Sequence, residues 1–542
     1  MKLYASLDYP NSKSNYRSNY LTNLYKEKTV SNNYSIRAGA GCGKSTTLEW
    51  TETGVPKGIQ PSEQQEAIFD ALKCKKSASY KGRVACFNTS IMKELEPRFP
   101  GLDVRNNHKL GYHSTVKFLN IKPKFGFVKG NKYEKLAKIM IGNPYNDSSL
   151  WPTYTNAIKL ASMARITLTG SALRNTTFSS DSATQDTLWE VSESQLMEMA
   201  TFYSIDITEA PDALKHVEPL INAGIKSARE GFDFDDMVFL PNVFGCRPDK
   251  VDRCYIDEMQ DLNAAQHGLL EGTAEQFVIV GDVHQSIYGF AGADPQSMPR
   301  FESAIDAKLL PLTVTRRCPH KHVEYCKQFL PDSFAQQFRA ADSAPEGTIE
   351  STNFDDKFYA SLEGTSNLCL SRTNAPMVRA CFMCWKNNIP AVIRGRNVAS
   401  TLVKVIKRIN ASDNESLIRI LMEEYEEKIQ KLKAADKLDL AEAKRDELDI
   451  LIVFATETKT PDECVDKLFK MFDDADAKER AIQFSTVHKA KGLEADNLAI
   501  LTPELLPHPG ISKIGAFWAE QERNIAYVCA TRGKDKMFLN AC

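Results

Sequence analysis

The sequence of 542 residues lacks the features that mark membrane and secreted proteins. It contains no run of about 18 apolar residues, which argues against a membrane-spanning helix. Its first twenty residues lack the apolar core of a signal peptide. The 13 cysteines are an odd number scattered along the chain, and they fit reduced thiols better than a disulfide framework. We therefore expect a cytoplasmic protein that makes no contact with membranes.

The chain also lacks a strong excess of either charge. Its formal net charge is −2, which argues against a protein that is basic all over its surface but leaves room for a local basic groove. Hydrophobic residues make up 42% and charged residues 25% of the sequence, as in globular proteins. A chain of this length is too long for one core, so we expect several domains.

A phosphate-binding loop is predicted over residues 35–47, which read SIRAGAGCGKSTT. Small residues follow a short apolar strand and precede a helix start, so that backbone N–H groups and the positive end of the helix face one phosphate. An ordinary strand-to-helix turn is the alternative. Lys44 is expected to reach the β- and γ-phosphates, and the Ser45 hydroxyl to hold Mg²⁺. The first glycine of the strict pattern is replaced by Ala38. The residues expected to bind the nucleotide here are Ala38, Gly39, Ala40, Gly41, Cys42, Gly43, Lys44, Ser45 and Thr46.

Two apolar strands farther along the chain end in polar residues suited to nucleotide chemistry. The first, within RCYIDEMQDLN, ends in Asp257 and Glu258. We expect Asp257 to hold Mg²⁺ with Ser45, and Glu258 to take a proton from the attacking water. The second, within FVIVGDVHQ, is followed by Gln285, which is placed to contact the γ-phosphate or its water.

Candidate nucleic-acid contacts also follow predicted strands. Asn88 and His108 come after predicted strands, where ligands of open α/β sheets bind. A role in capping the next helix is an equally good interpretation. Tyr288 and Phe290 are placed to stack on bases, with burial in the core as the alternative.

Two further groups of candidate metal ligands have weaker patterns. The first is the acidic trio Asp233, Asp235 and Asp236, which we interpret as a solvated turn before a strand. The second is a Cys-x-His-x-His-x₃-Cys group, whose spacing fits no common structural zinc site. Its members are Cys318, His320, His322 and Cys326.

Taken in order, the motifs resemble those of superfamily 1 helicases of the UvrD/Rep type. The strings that carry the resemblance extend from residue 38 to residue 533: AGAGCGKS, FNTSIMKEL, NNHKLG, DEMQD, GDVHQSIYGFAGAD, TRRCP, TVHKAKGLE and YVCATRG. The resemblance implies an α/β fold with two RecA-like P-loop domains of parallel sheets flanked by helices. Each of these domains would carry an inserted, mainly helical subdomain.

The resemblance also implies an activity and its partners. These are ATP hydrolysis coupled to 3′-to-5′ movement on single-stranded DNA and to duplex unwinding, with ATP and Mg²⁺ as cofactors. The partners would be single-stranded DNA and junctions of single and double strands. The compact insertions suggest a phage-encoded member, which would work in the host cytoplasm.

The motif order predicts the domain boundaries. We expect a flexible arm, a first RecA-like domain interrupted by an inserted subdomain, and a second one interrupted by a short helical insertion. In that order the predicted ranges are 1–33 for the arm, 34–114 and 231–309 for the first domain, 115–230 for its insert, 310–400 and 476–542 for the second domain, and 401–475 for its insertion.

The resemblance assigns roles to five residues of the second domain. Arg317 and Arg532 would act on the γ-phosphate from across the cleft that binds ATP. Glu494 would contact the ribose side of the nucleotide, and Thr486 and His488 would face the DNA.

Three departures from the family pattern keep alternatives open. The glutamine motif that reads adenine is missing before the phosphate loop, and Gln65, which follows the loop, is either its displaced equivalent or a helix cap. Residues 290–293 read FAGA where the family often has an arginine. The second insertion is short, which favours translocation over strong unwinding. The alternatives are a translocase that strips bound proteins, a motor subunit of a recombination or repair complex, and a motor on RNA.

Overall fold

The computed structural model describes residues 32–73, 77–174, 179–203, 205, 207–208, 210–289, 292–293, 296–362, 366–394, 396–434, 438–472, 481–513 and 515–541. The chain divides into two compact units. The first contains Gly43–Leu312 and the chain up to Ala38, and the second contains Gly39–Cys42 and Thr313–Cys542. The expected arm falls outside the described residues, apart from residues 32 and 33.

The first unit contains eight strands and twelve α-helices among its described residues. The strands are β1 (Tyr34–Ala38), β2 (Gly82–Cys86), β3 (Asp103–Asn106), β4 (Ser171–Arg174), β5 (Thr187–Glu190), β6 (Val251–Ile256), β7 (Ala274–Gly281) and β8 (Lys308–Leu312). The helices are α1 (Lys44–Thr53), α2 (Glu63–Leu72), α3 (Thr89–Leu95), α4 (Asn107–Phe118), α5 (Lys132–Met140), α6 (Trp151–Thr167), α7 (Ala183–Asp186), α8 (Glu193–Phe202), α9 (Leu214–Lys226), α10 (Phe234–Phe244), α11 (Ala264–Leu270) and α12 (Ser297–Ala304).

Six strands of the first unit form one parallel sheet in the order β3-β2-β6-β7-β1-β8. Every residue of β2 is buried, as expected for a strand covered on both faces. Since the strands are parallel, β1, β6 and β7 end at the same edge of the sheet. The phosphate loop and the two polar strand ends predicted from the sequence therefore share that edge.

The helical part between β3 and β6 is held by a buried cluster of charges, which corrects the interpretation of the acidic trio. Residues 234–244 form α10 rather than a strand, with Asp233 as N-cap and Asp236 completing a capping box. Arg165 of α6 lies 2.8, 3.1 and 2.9 Å from the carboxylates of Asp233, Asp235 and Asp236. Lys132 of α5 lies 2.6 Å from Asp236. The trio thus joins three helices instead of forming a solvated turn.

The second unit contains another parallel sheet and its helices. Its described strands are β9 (Val314–Thr315), β10 (Arg339–Ala340), β11 (Thr348–Thr352), β12 (Asn367–Ser371), β13 (Ala391–Ile393), β14 (Ile482–Thr486), β15 (Ala495–Ile500) and β16 (Gly533–Asn540). Its described helices are α13 (His320–Lys327), α14 (Asp332–Ala335), α15 (Asp356–Ser361), α16 (Ala375–Lys386), α17 (Arg396–Ile409), α18 (Asn414–Ala434), α19 (Leu438–Thr456), α20 (Pro461–Met471) and α21 (Ala516–Ala530). Six strands form the sheet in the order β11-β16-β15-β12-β14-β13, all parallel.

The boundary between the units corrects the expected start of the second domain at residue 310. β8 belongs to the first sheet, where it pairs with β1 from Tyr34↔Lys308 to Ala38↔Leu312. Pro311 is tolerated because β8 is an edge strand. The main segment of the second unit begins at Thr313, directly after this strand.

Helices α17 to α20 stand between β13 and β14 in the chain. α17 begins at Arg396, so it crosses the predicted start of the helical insertion at 401. The long helices α18 and α19 pack on each other through Leu417, Leu421 and Ile429, all of which are buried. Arg445 of α19 and Glu426 of α18 form an ion pair across the same contact.

None of the helices in the described ranges has an apolar stretch that would span a lipid bilayer.

Candidate nucleotide and nucleic-acid sites

The start of α1 has the properties of a phosphate site. Gly43, its N-cap residue, has φ +81° and ψ +37°, a left-handed conformation that glycine adopts without strain. No side chain caps this helix, and no acidic residue lies in its first turn. By contrast, α2 and α10 begin with complete capping boxes. The first N–H groups of α1 therefore lack a competing side-chain carboxylate, as an anion site requires.

Ser45 and Asp257 meet beside this helix start. The Ser45 hydroxyl donates to Asp257 Oδ2 at 2.6 Å, and the backbone N–H of Glu258 donates to Oδ1 at 2.9 Å. Burial and the neighbouring Glu258 charge raise the pKa of Asp257 to about 6, although Ser45 and Lys44 act in the opposite direction. A hydroxyl and a carboxylate oxygen are donors that Mg²⁺ prefers, so these residues fit the expected cation.

Glu258 lies between a lysine and a glutamine. Its Oε1 is 3.4 Å from Lys44 Nζ, and its Oε2 accepts a hydrogen bond of 2.5 Å from Gln260. The φ of Glu258 is +52°, which is uncommon for a residue with a side chain. The structure therefore holds this carboxylate in a fixed place at the end of β6.

A polar chain connects Glu258 with Gln285, and the sequence did not reveal it. Gln260 Oε1 accepts from the backbone N–H of Asp282 at 3.0 Å, and Asp282 Oδ2 accepts from Gln285 Nε2 at 2.7 Å. A Cβ at Gly281 would lie 2.5 Å from Gln260 Oε1, so glycine is needed for this approach. The only sequence signal was the glutamine two positions after Glu258 in DEMQD.

The other residues of the phosphate loop have varied surroundings. Ala38 ends β1, and it is buried together with Ala40 and Cys42. The Thr46 hydroxyl accepts a hydrogen bond of 3.1 Å from Arg98. Gln65 completes the capping box of α2, which confirms its interpretation as a helix cap.

In the second unit, Glu494 pairs with two cations. It lies 2.5 Å from Arg317 Nη2 and 2.9 Å from Lys534 Nζ. Burial acts to raise the pKa of Glu494, but the charges of Arg317 and Lys534 outweigh it and keep the pKa below its ordinary value. The carboxylate expected to contact the ribose is therefore ionised and already engaged.

Arg532 follows α21 and is only 1% exposed. Its guanidinium donates to the Val528 carbonyl at 2.8 Å and to the Thr531 hydroxyl at 3.0 Å. Burial and the charge of Arg317 lower the pKa of Arg532 to about 10. The two arginines expected to act on the γ-phosphate are thus electrostatic neighbours within one unit.

Among the candidate nucleic-acid contacts of the first unit, Asn88 is the N-cap of α3 and accepts from Ile91 N. Its capping role, one of the two interpretations of this residue, is confirmed. Burial lowers the pKa of His108, although the nearby Asp235 opposes this shift. The Tyr288 ring stacks on Phe87 with centroids 6.1 Å apart. Phe290 lies outside the described residues.

In the second unit, Thr486 ends β14 and His488 follows it. Burial and the charge of Arg372 lower the pKa of His488 to about 3. Its imidazole is therefore neutral at physiological pH. A contact between His488 and a DNA strand would be a hydrogen bond and not an ionic contact.

The described residues contain no cluster of three or more histidines, cysteines, aspartates or glutamates arranged to hold a metal ion. His322, from the Cys/His group, lies with its two ring nitrogens 3.4 and 3.1 Å from the carbonyl oxygens of Gly533 and Thr348. Cys318 of the same group is a buried free thiol. These contacts favour a packing role for the group.

Comparisons with known proteins show which families and proteins this chain is similar to. Residues 153–306 match the family described as UvrD/REP helicase N-terminal domain, a range that includes Asp257, Glu258 and Gln285. The chain is 38% identical over 87 residues to the ATP-dependent DNA helicase PcrA of Staphylococcus aureus. It is 37% identical over 87 residues to the protein of the same name from Staphylococcus epidermidis. Each aligned stretch is 14% of this chain and 12% of the relative, so the chain spans about an eighth of the length of these relatives.

Proposed function

We propose, from the premise that this chain is a UvrD-like member of helicase superfamily 1, that it is an ATP-driven motor on DNA. In this proposal it hydrolyses ATP, moves 3′ to 5′ along single-stranded DNA and unwinds duplex at junctions. The activity in the name of the PcrA relatives, ATP-dependent DNA helicase, supports this choice. The parallel sheets flanked by helices are consistent with a RecA-like helicase fold.

The observation that carries the proposal is the group at the edge of the first sheet. The uncapped start of α1, with Lys44, would hold the phosphates of ATP. Ser45 and Asp257, which already share a hydrogen bond of 2.6 Å, would hold Mg²⁺. When bound, the cation would neutralise charge on the phosphate oxygens. Glu258 would accept the proton of the attacking water.

The remaining polar groups would respond to the γ-phosphate. Gln285, linked to Glu258 through Gln260 and Asp282, would report its presence or loss. Arg317 and Arg532 would stabilise charge on the transferred phosphoryl group, a contribution of about 10³–10⁵ in rate in related NTPases.

The single strand would be bound mainly through its backbone. Such binding is salt-sensitive and nearly independent of sequence. Tyr288, stacked on Phe87, would present an ordered aromatic pair near the end of β7. Thr486 and the neutral His488 would add hydrogen bonds from the second unit.

The test is the rate of ATP hydrolysis with increasing single-stranded DNA, then with single-stranded RNA, and with Lys44→Ala as the blank. We expect strong stimulation by DNA, weak stimulation by RNA, and no turnover by the Lys44→Ala variant. That variant should keep its affinity for DNA, because Lys44 faces the carboxylate pair. Stimulation by RNA alone would indicate that the protein moves along RNA instead of DNA. Stimulation by neither polymer, or full turnover by Lys44→Ala, would overturn the proposal.

A further inference from the structure

A lysine-rich stretch of the first unit is not used by the nucleotide site. Residues 117–138 contain seven lysines and one carboxylate, although the whole chain has a net charge of −2. Lys132 is buried against Asp236, and Lys117 pairs with Asp249. Lys122, Lys124 and Lys135 are exposed, and no described carboxylate forms an ion pair with any of them. This stretch therefore concentrates uncompensated positive charge.

A tight turn displays one aromatic ring among these lysines. The N–H of Phe127 donates to the Lys124 carbonyl at 3.1 Å, which closes a four-residue turn. Gly126, the third residue of the turn, has φ +76°, a conformation that favours glycine there. Phe125, the second residue, is 110% exposed. Its ring thus projects into solvent from a segment that also contains Lys122, Lys124 and Lys129.

The base of this turn is packed against neighbouring aromatic rings. Phe127 packs edge to face on Phe232 with ring centroids 5.0 Å apart, and Phe232 is fully buried. Val128 bridges to Phe232, and the N–H of Lys129 donates to the Phe232 carbonyl at 2.7 Å. Tyr112 of α4 packs against both phenylalanine rings. These contacts hold the backbone beside Phe125, so a ligand that binds the turn needs to order little of its backbone.

We propose that residues 122–129, the basic turn, bind single-stranded DNA through a base stacked on Phe125 and phosphates held by Lys122 and Lys124. A solvent-exposed aromatic ring flanked by lysines in the chain matches the chemistry of an unpaired base on a charged backbone. A protein partner fits less well, because lysine is depleted in the cores of protein interfaces. The identity of the polymer as DNA rests on the proposed function, whereas the binding itself needs no ATP hydrolysis.

The aromatic contact is tested by replacing the ring. Affinity for a fluorescent oligothymidylate is measured by anisotropy without nucleotide, for Phe125→Ala, Phe125→Tyr and the control Phe469→Ala. Phe469 is also an exposed ring, at 48%, but lies in the second unit. Since stacking on one aromatic residue is worth about 1–3 kcal/mol, Phe125→Ala should weaken binding by about 5-fold or more. Phe125→Tyr and Phe469→Ala should bind like the unmodified protein.

The lysine contacts are tested through salt dependence. Each phosphate contact with a single strand contributes about 0.7 to the slope of log affinity against log salt, so Lys122→Gln with Lys124→Gln should reduce the slope by about 1.4. Lys117→Gln is the control, because its ammonium already pairs with Asp249. An unchanged slope in the double variant would overturn the phosphate contacts.

Three other outcomes are decisive. Unchanged affinity in Phe125→Ala would overturn the stacking contact, and so would failure of Phe125→Tyr to restore binding. An equal loss of affinity for blunt duplex would also contradict stacking on an unpaired base. Since all of these measurements omit nucleotide, their failure is distinguishable from failure of ATP hydrolysis, which Lys44→Ala reports separately.

Discussion

Glu258 has a left-handed backbone conformation in the candidate nucleotide site, with φ +52°. A left-handed conformation at a residue with a side chain costs on the order of 1–3 kcal/mol. The φ of +52° places its carboxylate within 3.4 Å of Lys44 and within hydrogen-bond distance of Gln260. Such strain persists only where the surroundings enforce it, which supports the proposed role of Glu258 as the base for the attacking water.

Replacing Glu258 should separate binding from catalysis. In Glu258→Gln the amide keeps the shape of the side chain but cannot accept the proton of water. We expect the ATP hydrolysis rate to fall by about 10²–10⁴, the range for loss of a general base. ATP affinity, measured with a fluorescent analogue, should stay within a few-fold of the unmodified protein.

The matched control for that variant is Glu66→Gln, a change at an exposed position of α2. It should leave both hydrolysis and affinity unchanged. Hydrolysis by Glu258→Gln at the unmodified rate would remove Glu258 from the reaction and leave the base unassigned.

At single residues, the sequence predicted which groups lie close together better than it predicted their other contacts. Lys44, Ser45, Asp257 and Glu258 belong to motifs whose spacing implies their roles, and the structure brings them together. The role of Gln260 depends on how β6 and β7 lie side by side in the sheet, which no local pattern encodes. The burial of Arg532, which is 1% exposed, is likewise a product of tertiary packing.

At the scale of elements, α10 shows how a local pattern misleads. The string FDFDDMVFLP alternates acidic and apolar residues and then becomes apolar, a pattern that predicts a turn before a strand. A capping-box pair three residues apart, Asp233 and Asp236, was the signal for a helix. The apolar run is buried on all sides, and periodicity alone does not distinguish a buried helix from a buried strand.

Arg165 should be a main support of this helical region. It is 1% exposed and contacts three carboxylates on α10 or next to it. Arg165→Ala would leave these acids without their shared cation, since Lys132 reaches only Asp236. Removing one partner of a buried ion pair costs about 3–5 kcal/mol. We expect the first thermal unfolding transition to move to a clearly lower temperature.

Arg419→Ala provides the comparison for that loss. Arg419 forms an exposed i,i+4 pair with Glu423, and exposed pairs are worth about 0.3–0.5 kcal/mol. Its unfolding temperature should scarcely change. An equally small effect of Arg165→Ala would show that the buried cluster is dispensable for stability.

For the whole molecule, the ordered motifs predicted two parallel α/β sheets, and both are present. They could not predict that β8 is an edge strand of the first sheet, because its partner β1 lies more than 270 positions away in the chain. Nor did they reveal the basic turn, whose lysines and Phe125 match no motif. Spacing within a motif is local information, whereas edge strands and displayed surfaces depend on distant contacts.

We propose that ATP hydrolysis drives directional movement of this protein along a single strand of DNA. The most direct measurement is ATP-dependent displacement of streptavidin from oligonucleotides biotinylated at either the 3′ or the 5′ end, with Lys44→Ala as the blank. We predict rapid displacement from the 5′ end, slow displacement from the 3′ end, and none by the variant. If ATP accelerates displacement from neither end while single-stranded DNA is bound, the chain is not a motor and the account is wrong.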